Sequence, residues 1–332
     1  MYLHATRGTK GALERLKTGS AGTSLPQGWP GRSLSPTTWQ LHGIKSSLLR
    51  LERILTVSIE SHPQNALAKL RHWNLRRDDE SDEGGRLYWD AEGNKYFSVT
   101  RILSETSPPE QKQALERWLA KPGAEQDRNM AASRGSEAHS HLEYVAKTAA
   151  RLARNTANRR RLWKQCSDGL ERCPAAITKW ALHKAVENAP TPNWSSHGYA
   201  RGLRAWALER ITQVHACEFS ISHPSGFAGS CDGLFDVDKQ LCLVDWKTTG
   251  ASRHQSGAMK EARLLNYRHQ LGGYSLGLRY LTGLEAPGAA IVVGRRTGAP
   301  EVTFLDAAEL KEAEKRFLER VERFHEMRVE RS

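Results

Sequence analysis

Apolar and polar positions change period along the 332 residues, and the changes mark out the elements. Residues 1–34, rich in Gly, Ser, Thr and Pro, carry no helical or strand period and are expected to be poorly ordered. Behind them Ser35-Pro36 offers an N-cap followed by proline at the first helical position. Leu41, Ile44, Leu48, Leu51 and Leu55 then recur at steps of three and four, which predicts an amphipathic helix with Lys45, Arg50 and Arg53 on its other face. The acidic, glycine-ended DDESDEGG at 78–85 reads as a linker, so residues 1–85 form an N-terminal extension and a main domain occupies residues 86–332. RLYWDAEGNKYFSV predicts a hairpin about Glu-Gly-Asn, and helices are expected at about 109–119, 129–152, 175–188 and 198–213.

Near residue 214 the period shortens to two. VHACEFSIS, GSCDGLFDV and QLCLVDWK are short apolar or alternating runs split by His-Pro-Ser-Gly and Asp-Lys, and they predict three strands joined by tight turns. A long helix at about 257–280, strands at AAIVVG and EVTFL, and a charged helix at 307–330 complete the chain. Helices, a strand meander, then helix, strand and helix make an α/β fold with a mixed sheet.

Composition changes this picture little, and charge changes it more. The 39% hydrophobic and 26% charged content is that of a globular protein, and no apolar run approaches the ~18 residues that a membrane span needs. Forty-nine Lys and Arg against thirty-seven Asp and Glu give a net charge of +12, which favours a polyanionic partner. Residues 147–164 concentrate that charge: Lys147, Arg151, Arg154, Arg159, Arg160, Arg161 and Lys164 stand there without an acid, beside Trp163. Such a run is usually a solvated helix face; its single sign and the aromatic beside it point to phosphate contact. The basic helical segment over 147–213 is read as an insertion in the main domain. The N-terminus lacks the apolar stretch of a secretory signal, so a cytoplasmic protein is expected, with a mitochondrial location as the alternative because the first ~57 residues are poor in acids. Five cysteines without a C-x2-C spacing are expected to be reduced thiols.

The informative stretch is GFAGSCDGLFDVDKQLCLVDWKTTG at 226–250. A two-residue turn at Asp238-Lys239 sets Asp232 directly across from Asp245, with Cβ atoms ~5 Å apart. Two carboxylates so placed repel each other, and a divalent cation with oxygen ligands relieves that repulsion. Lys247, two residues on, shares the face of Asp245 and could neutralise the pair without a metal, as a salt-bridged trio. Gly229 and Gly233 flank Asp232 and are expected to leave backbone room for a ligand. Two acids and a lysine on one face also suit metal-assisted hydrolysis of a phosphodiester.

Gly229-x-x-Asp232 followed by Asp245-Trp246-Lys247 resembles the signature of the PD-(D/E)XK nuclease superfamily in its RecB-like form. Gly135-x-x-x-His139 upstream and Gln270-x-x-x-Tyr274 downstream resemble the two helix motifs of that branch, in the same order. Ser98-Val99-Thr100-Arg101-Ile102-Leu103, Pro108-Pro109-Glu110-Gln111 and Leu115-Glu116-Arg117-Trp118 are similar to the leading segment of one group within it, the mitochondrial genome maintenance exonuclease and its bacterial and phage relatives. The resemblance covers roughly residues 95–325 and implies a restriction-endonuclease-like core, a central mixed sheet flanked by helices. It implies Mg2+ or Mn2+ held by Asp232, Asp245 and the Trp246 carbonyl, with His139 reaching the metal from the helical side and Glu218 as a further acid. It implies that Lys247 serves the attacking water, and that Gln270 and Tyr274 orient Lys247 and touch the substrate phosphate. Cys231 stands where the signature's proline would be, and the cysteines of the branch's iron–sulfur members are absent, so no cluster is expected. The expected activity is a metal-dependent DNA exonuclease of repair, recombination or replication, preferring single strands or free ends. A structure-specific endonuclease and a non-catalytic nucleic-acid-binding module are the alternatives.

Overall fold

Two-residue turns and parallel crossovers build one eight-stranded mixed sheet with helices on both faces. The computed structural model describes residues 73–79, 81, 85–165, 174–249 and 257–330, together with Leu67 and Leu70. All of them belong to the second of two units into which the chain divides, Leu55–Ser332. The amphipathic helix expected at 35–55, the two cysteines Cys166 and Cys173, and the side chains of Arg161, Trp163 and Lys164 lie outside the described residues.

The strands are β1 (Arg76–Asp78), β2 (Leu87–Trp89), β3 (Lys95–Ser98), β4 (Ile211–His223), β5 (Phe227–Val237), β6 (Gln240–Thr248), β7 (Ala289–Gly294) and β8 (Glu301–Leu305). The described helices are α1 (Val99–Glu105), α2 (Pro109–Leu119), α3 (Ala124–Arg154), α4 (Thr156–Gln165), α5 (Pro174–Glu187), α6 (Trp194–Arg210), α7 (Gly257–Thr282) and α8 (Ala307–Val329). The three central strands, the long helix α7, β7, β8 and α8 fall where the periodicity predicts them. The acidic stretch at 78–85, expected as a linker, instead has strands on both sides that pair with each other, β1 with β2, and Asp79 bridges Arg77 and Arg86 across it. The folded unit therefore reaches back past residue 86, and Leu67 and Leu70 are buried in its core.

Local chemistry fixes the element ends. Ser98 caps α1 by accepting from the Arg101 amide. Asp306 and Glu309 form a reciprocal capping box at the start of α8. Asp238 and Lys239 both have positive φ, 49° and 72°, as the tight turn between right-twisted strands requires.

The sheet divides the core. On one face α1, α7 and α8 pack through residues such as Ile102, Leu271, Leu278, Phe317 and Phe324. On the other, α3, α5 and α6 pack through Leu142, Leu182, Leu203 and Trp206 against Phe235, Val244 and Trp246. α7 and α8 approach so closely that a Cβ on Gly272 would lie 2.4 Å from the Ala313 backbone, so glycine is required there. No described helix is long and apolar enough to cross a membrane.

One feature of the sheet positions everything that follows. β4 runs along one edge of β5 over its full length. The other edge of β5 is shared: β3 pairs in parallel with Phe227 and Ala228, and β6 pairs antiparallel with residues 233–237. Residues 229–232 are left between them without a strand partner on that edge, among the described residues. Here β6 leaves β5 and continues beside β7, paired in parallel from Leu243 to Thr248.

Candidate active site

The fork between β5 and β6 gathers the acids. The register runs from Val237↔Gln240 to Gly233↔Val244, as the turn demands, and the next step would set Asp232 opposite Asp245. The ladder stops one pair short. Instead, Asp232 Oδ2 accepts a hydrogen bond from the Trp246 amide at 2.6 Å, closing the fork with a side chain where a carbonyl would otherwise serve.

Asp232 also sits where both β4 and β5 roll over. Cys231 and Leu234 face the same core cluster although they are three residues apart, so the alternation breaks at Asp232-Gly233. In β4 the break falls at Glu218: Phe219 faces the first cluster, and Cys217 packs against the second. The pairs Cys217↔Gly233 and Phe219↔Cys231 enclose Glu218 and Asp232, so the two acids are neighbours across the strands. Glu218 has a φ of 49°, a strained conformation for a residue with a side chain and the local cause of the rollover.

Helix α3 crosses these strands at about one helical turn per contact. A Cβ on Gly135 would lie 3.3 Å from Thr248 Oγ1 of β6, and four residues on His139 Nδ1 is 3.6 Å from Asp232 Oδ1 of β5. Four further, Glu143 raises the pKa of Glu218 on β4, and Lys147 is paired with Glu143. The signal for Glu143 was present in the sequence as the next step of four beyond Gly135 and His139.

The two aspartates have different nearest cationic partners, His139 for Asp232 and Lys247 for Asp245. Burial would raise Asp232, but the hydrogen bond and charge of His139 hold it below the usual carboxylate range. Burial pushes Asp245 up to about 6, against the opposing pull of Lys247. Lys247 Nζ lies 2.7 Å from the buried Asp245 Oδ2, within reach of a charge-assisted hydrogen bond. Burial would lower Lys247, and the charge of Asp245 more than offsets it, so the ammonium is retained. Burial and the neighbouring Asp232 raise Glu218 to about 7, and Ser230 donates to it at 3.2 Å.

Helix α7 supplies the next layer. Gln270 Nε2 is 3.2 Å from Asp245 Oδ1 and 2.7 Å from the Tyr274 hydroxyl. Gln270 bonds to Asp245 and not to Lys247, whose ammonium instead lies 5.1 Å from the centre of the Tyr267 ring. Tyr274 is buried, its ring against Gly229 and its hydroxyl bonded to Gln270. The glycines beside Asp232 make room for the chain's own rings: a Cβ on Gly229 would meet Tyr274 at 2.7 Å, and one on Gly233 would meet Phe235 at 2.1 Å. Tyr267 was not anticipated, although it stands three residues before Gln270 and seven before Tyr274, on one helix face.

The donor set suits a divalent cation. One ligand atom each from His139, Glu218 and Asp232 lie within 4.8 Å of one another, at the end of the fork. Two carboxylates and an imidazole fit an oxygen-preferring ion that tolerates nitrogen. Trp246 packs its ring on Trp206 in the second core cluster. Of the basic run, Arg151, Arg154, Arg159 and Arg160 are exposed at the end of α3 and on α4.

A comparison with curated proteins found no match. A family model for the PD-(D/E)XK nuclease superfamily matches residues 113–331, which span α3, the fork between β5 and β6, and α7. Proteins of that superfamily are nucleases that use divalent metal ions. The shared motifs and the extent of this match give the conclusion that the chain belongs to the PD-(D/E)XK nuclease superfamily.

Proposed function

We propose that the chain is a metal-dependent DNA exonuclease that hydrolyses phosphodiester bonds at free or single-stranded ends, within DNA repair, recombination or replication. One observation carries the reading: His139, Glu218, Asp232, Asp245 and Lys247 meet at the open edge of β5, where β3 and β6 leave four residues unpaired.

Each side chain has work to do there. His139, Glu218 and Asp232 would hold the ion, Mg2+ or Mn2+, with Asp245 and the Trp246 carbonyl as further ligands. When bound, that ion supplies Lewis acidity, lowering the pKa of a water and neutralising phosphate charge. Lys247, retained as an ammonium, positions the attacking water and stabilises charge developing on the phosphoryl oxygens. Gln270 and Tyr274 hold Asp245 in place from α7, acting as positioning residues. Arg151, Arg154, Arg159 and Arg160 contact the phosphate backbone.

The test is incubation with end-labelled linear DNA and circular single-stranded DNA in Mg2+, Mn2+ or EDTA, beside Asp245→Ala. The reading expects mononucleotide or short products from the linear substrates, none in EDTA or with the variant, and an intact circle. Cleavage of the circle would replace the exonuclease with an endonuclease. Binding without products in any metal would leave only a nucleic-acid-binding module.

A further inference from the structure

A second feature flanks the fork on the β6–β7 side, opposite the basic end of α3. Trp194 opens helix α6 and is 84% exposed, far more than any other large hydrophobic residue at a helix start in the described chain. A ring of that size left in water has no structural use where it stands. It is held in place all the same. Its neighbours Asn193 and Ser196 both donate to the carboxylate of Glu137, at 2.7 Å each, and Glu137 lies on α3 between Gly135 and His139. The Arg296 guanidinium sits over the indole, 5.4 Å from its centre.

The loop carrying Arg296 is tied to the same site from the other direction. It leaves β7 at Gly294, which pairs with Thr248, one residue past Lys247. The loop packs so closely on α6 that a Cβ on Gly198 would lie 2.1 Å from the Arg296 carbonyl oxygen. Arg134 stands on α3 one residue before Gly135. Its guanidinium lies over the Tyr199 ring at 4.7 Å, and its Nε is buried without a hydrogen-bond acceptor. Arg201, seven residues from Trp194 and so on the same side of α6, is exposed as well. The other cation in the loop, Arg295, is paired with Glu301 and is set aside.

We propose that Trp194 is a base-stacking platform for single-stranded DNA running through the active site, with Arg296 taking a phosphate beside the stacked nucleotide. The chemistry matches that of a single-strand track: an exposed aromatic face with a cation against it. Glu137, the acid bonded to the neighbours of Trp194, is satisfied by Ser196 and Asn193 and kept below its usual pKa by them. A stacked base stops the strand from sliding and fixes which phosphate lies at Asp232 and Lys247. The inference rests on the nuclease reading above and extends it to a substrate subsite.

The experiment separates the two. Binding of fluorescent oligothymidylate is measured by anisotropy in EDTA, where no cleavage occurs, for wild type, Trp194→Ala, Trp194→Phe and Arg296→Ala. Hydrolysis of bis(p-nitrophenyl) phosphate, too short to reach Trp194, is measured in Mn2+. Trp194→Ala is expected to weaken oligothymidylate about tenfold, Trp194→Phe to restore most of it, and Arg296→Ala to lower the slope of log affinity against log salt by about one. Hydrolysis of the short ester is expected to be unchanged in all three. Equal oligothymidylate affinity in wild type and Trp194→Ala would overturn the platform. So would a loss for duplex as large as that for single strand, or a loss that tracks lowered thermal stability. Should the wild type hydrolyse neither the short ester nor oligothymidylate in Mn2+, the nuclease reading fails, while the anisotropy series still decides whether Trp194 binds DNA.

Discussion

Asp232 Oδ2 lies 2.6 Å from the Trp246 nitrogen, so one carboxylate both closes the fork between β5 and β6 and contributes to the acid cluster beside it. The two roles separate by substitution. Asp232→Asn keeps an oxygen able to accept from the amide but loses the charge facing His139; Asp232→Ala loses both. We expect both variants to lose cleavage, with Asp232→Ala less stable than Asp232→Asn by about 1–2 kcal/mol. Equal denaturation midpoints for the two would show that the Trp246 bond contributes nothing.

Lys247 faces a buried carboxylate, and its removal leaves Asp245 without its cation at 2.7 Å. Lys247→Ala is expected to abolish cleavage, leave DNA binding largely intact, and destabilise the metal-free protein by about 3 kcal/mol, because breaking one side of a buried pair strands the other charge. The double variant Asp245→Asn with Lys247→Met removes both charges and should regain most of that stability with no cleavage. Urea denaturation of the single and double variants checks it, and a double variant no more stable than Lys247→Ala contradicts it.

The sequence made the strands, the turn and the motif residues legible because each obeys a local rule. The Asp-Lys turn fixes the β5–β6 register, and spacing of four on α3 and α7 puts Gly135 with His139 and Gln270 with Tyr274 on one face. What it left hidden depends on two strands at once. The positive φ of Glu218 and the matching break at Asp232 appear in neither strand's pattern alone, and they decide that Glu218 stands beside Asp232. Gly229 could be read as room for a ligand because nothing local says that a ring forty-five residues away fills the space. The linker at 78–85 misled for a related reason: acids and glycines mark a turn between paired strands as well as they mark a boundary.

That ring gives a further test. A Cβ on Gly229 would lie 2.7 Å from Tyr274 Cε1, so Gly229→Ala must displace Tyr274 and, through the 2.7 Å bond, Gln270. We expect a loss of about 1–3 kcal/mol together with weakened cleavage, since Gln270 then no longer holds Asp245. Tyr274→Ala in the same chain relieves the clash and should recover part of the stability without recovering cleavage. Undiminished stability and activity in Gly229→Ala would mean that the fork has slack the geometry denies.

Glu218 provides the pH dependence. Its carboxyl is raised to about 7 by burial and by Asp232, above the ordinary value of 4.5. A group that binds its proton more tightly folded than unfolded adds stability below the unfolded pKa and loses it as pH rises through the folded pKa. In the metal-free protein this cost is therefore absent below pH 4.5, grows between 4.5 and 7, and is complete above 7. Glu218→Gln removes it, so the variant should be more stable than wild type at pH 8 by an amount on the order of 2 kcal/mol, and by much less at pH 5. Saturating Mn2+ should reverse the order at pH 8, because the cation that relieves the repulsion in wild type loses a ligand in the variant. Thermal denaturation at both pH values, with EDTA and with Mn2+, measures all four states. A stability difference that ignores pH would take the strain away from Glu218, and a difference that ignores Mn2+ would take Glu218 out of the metal site.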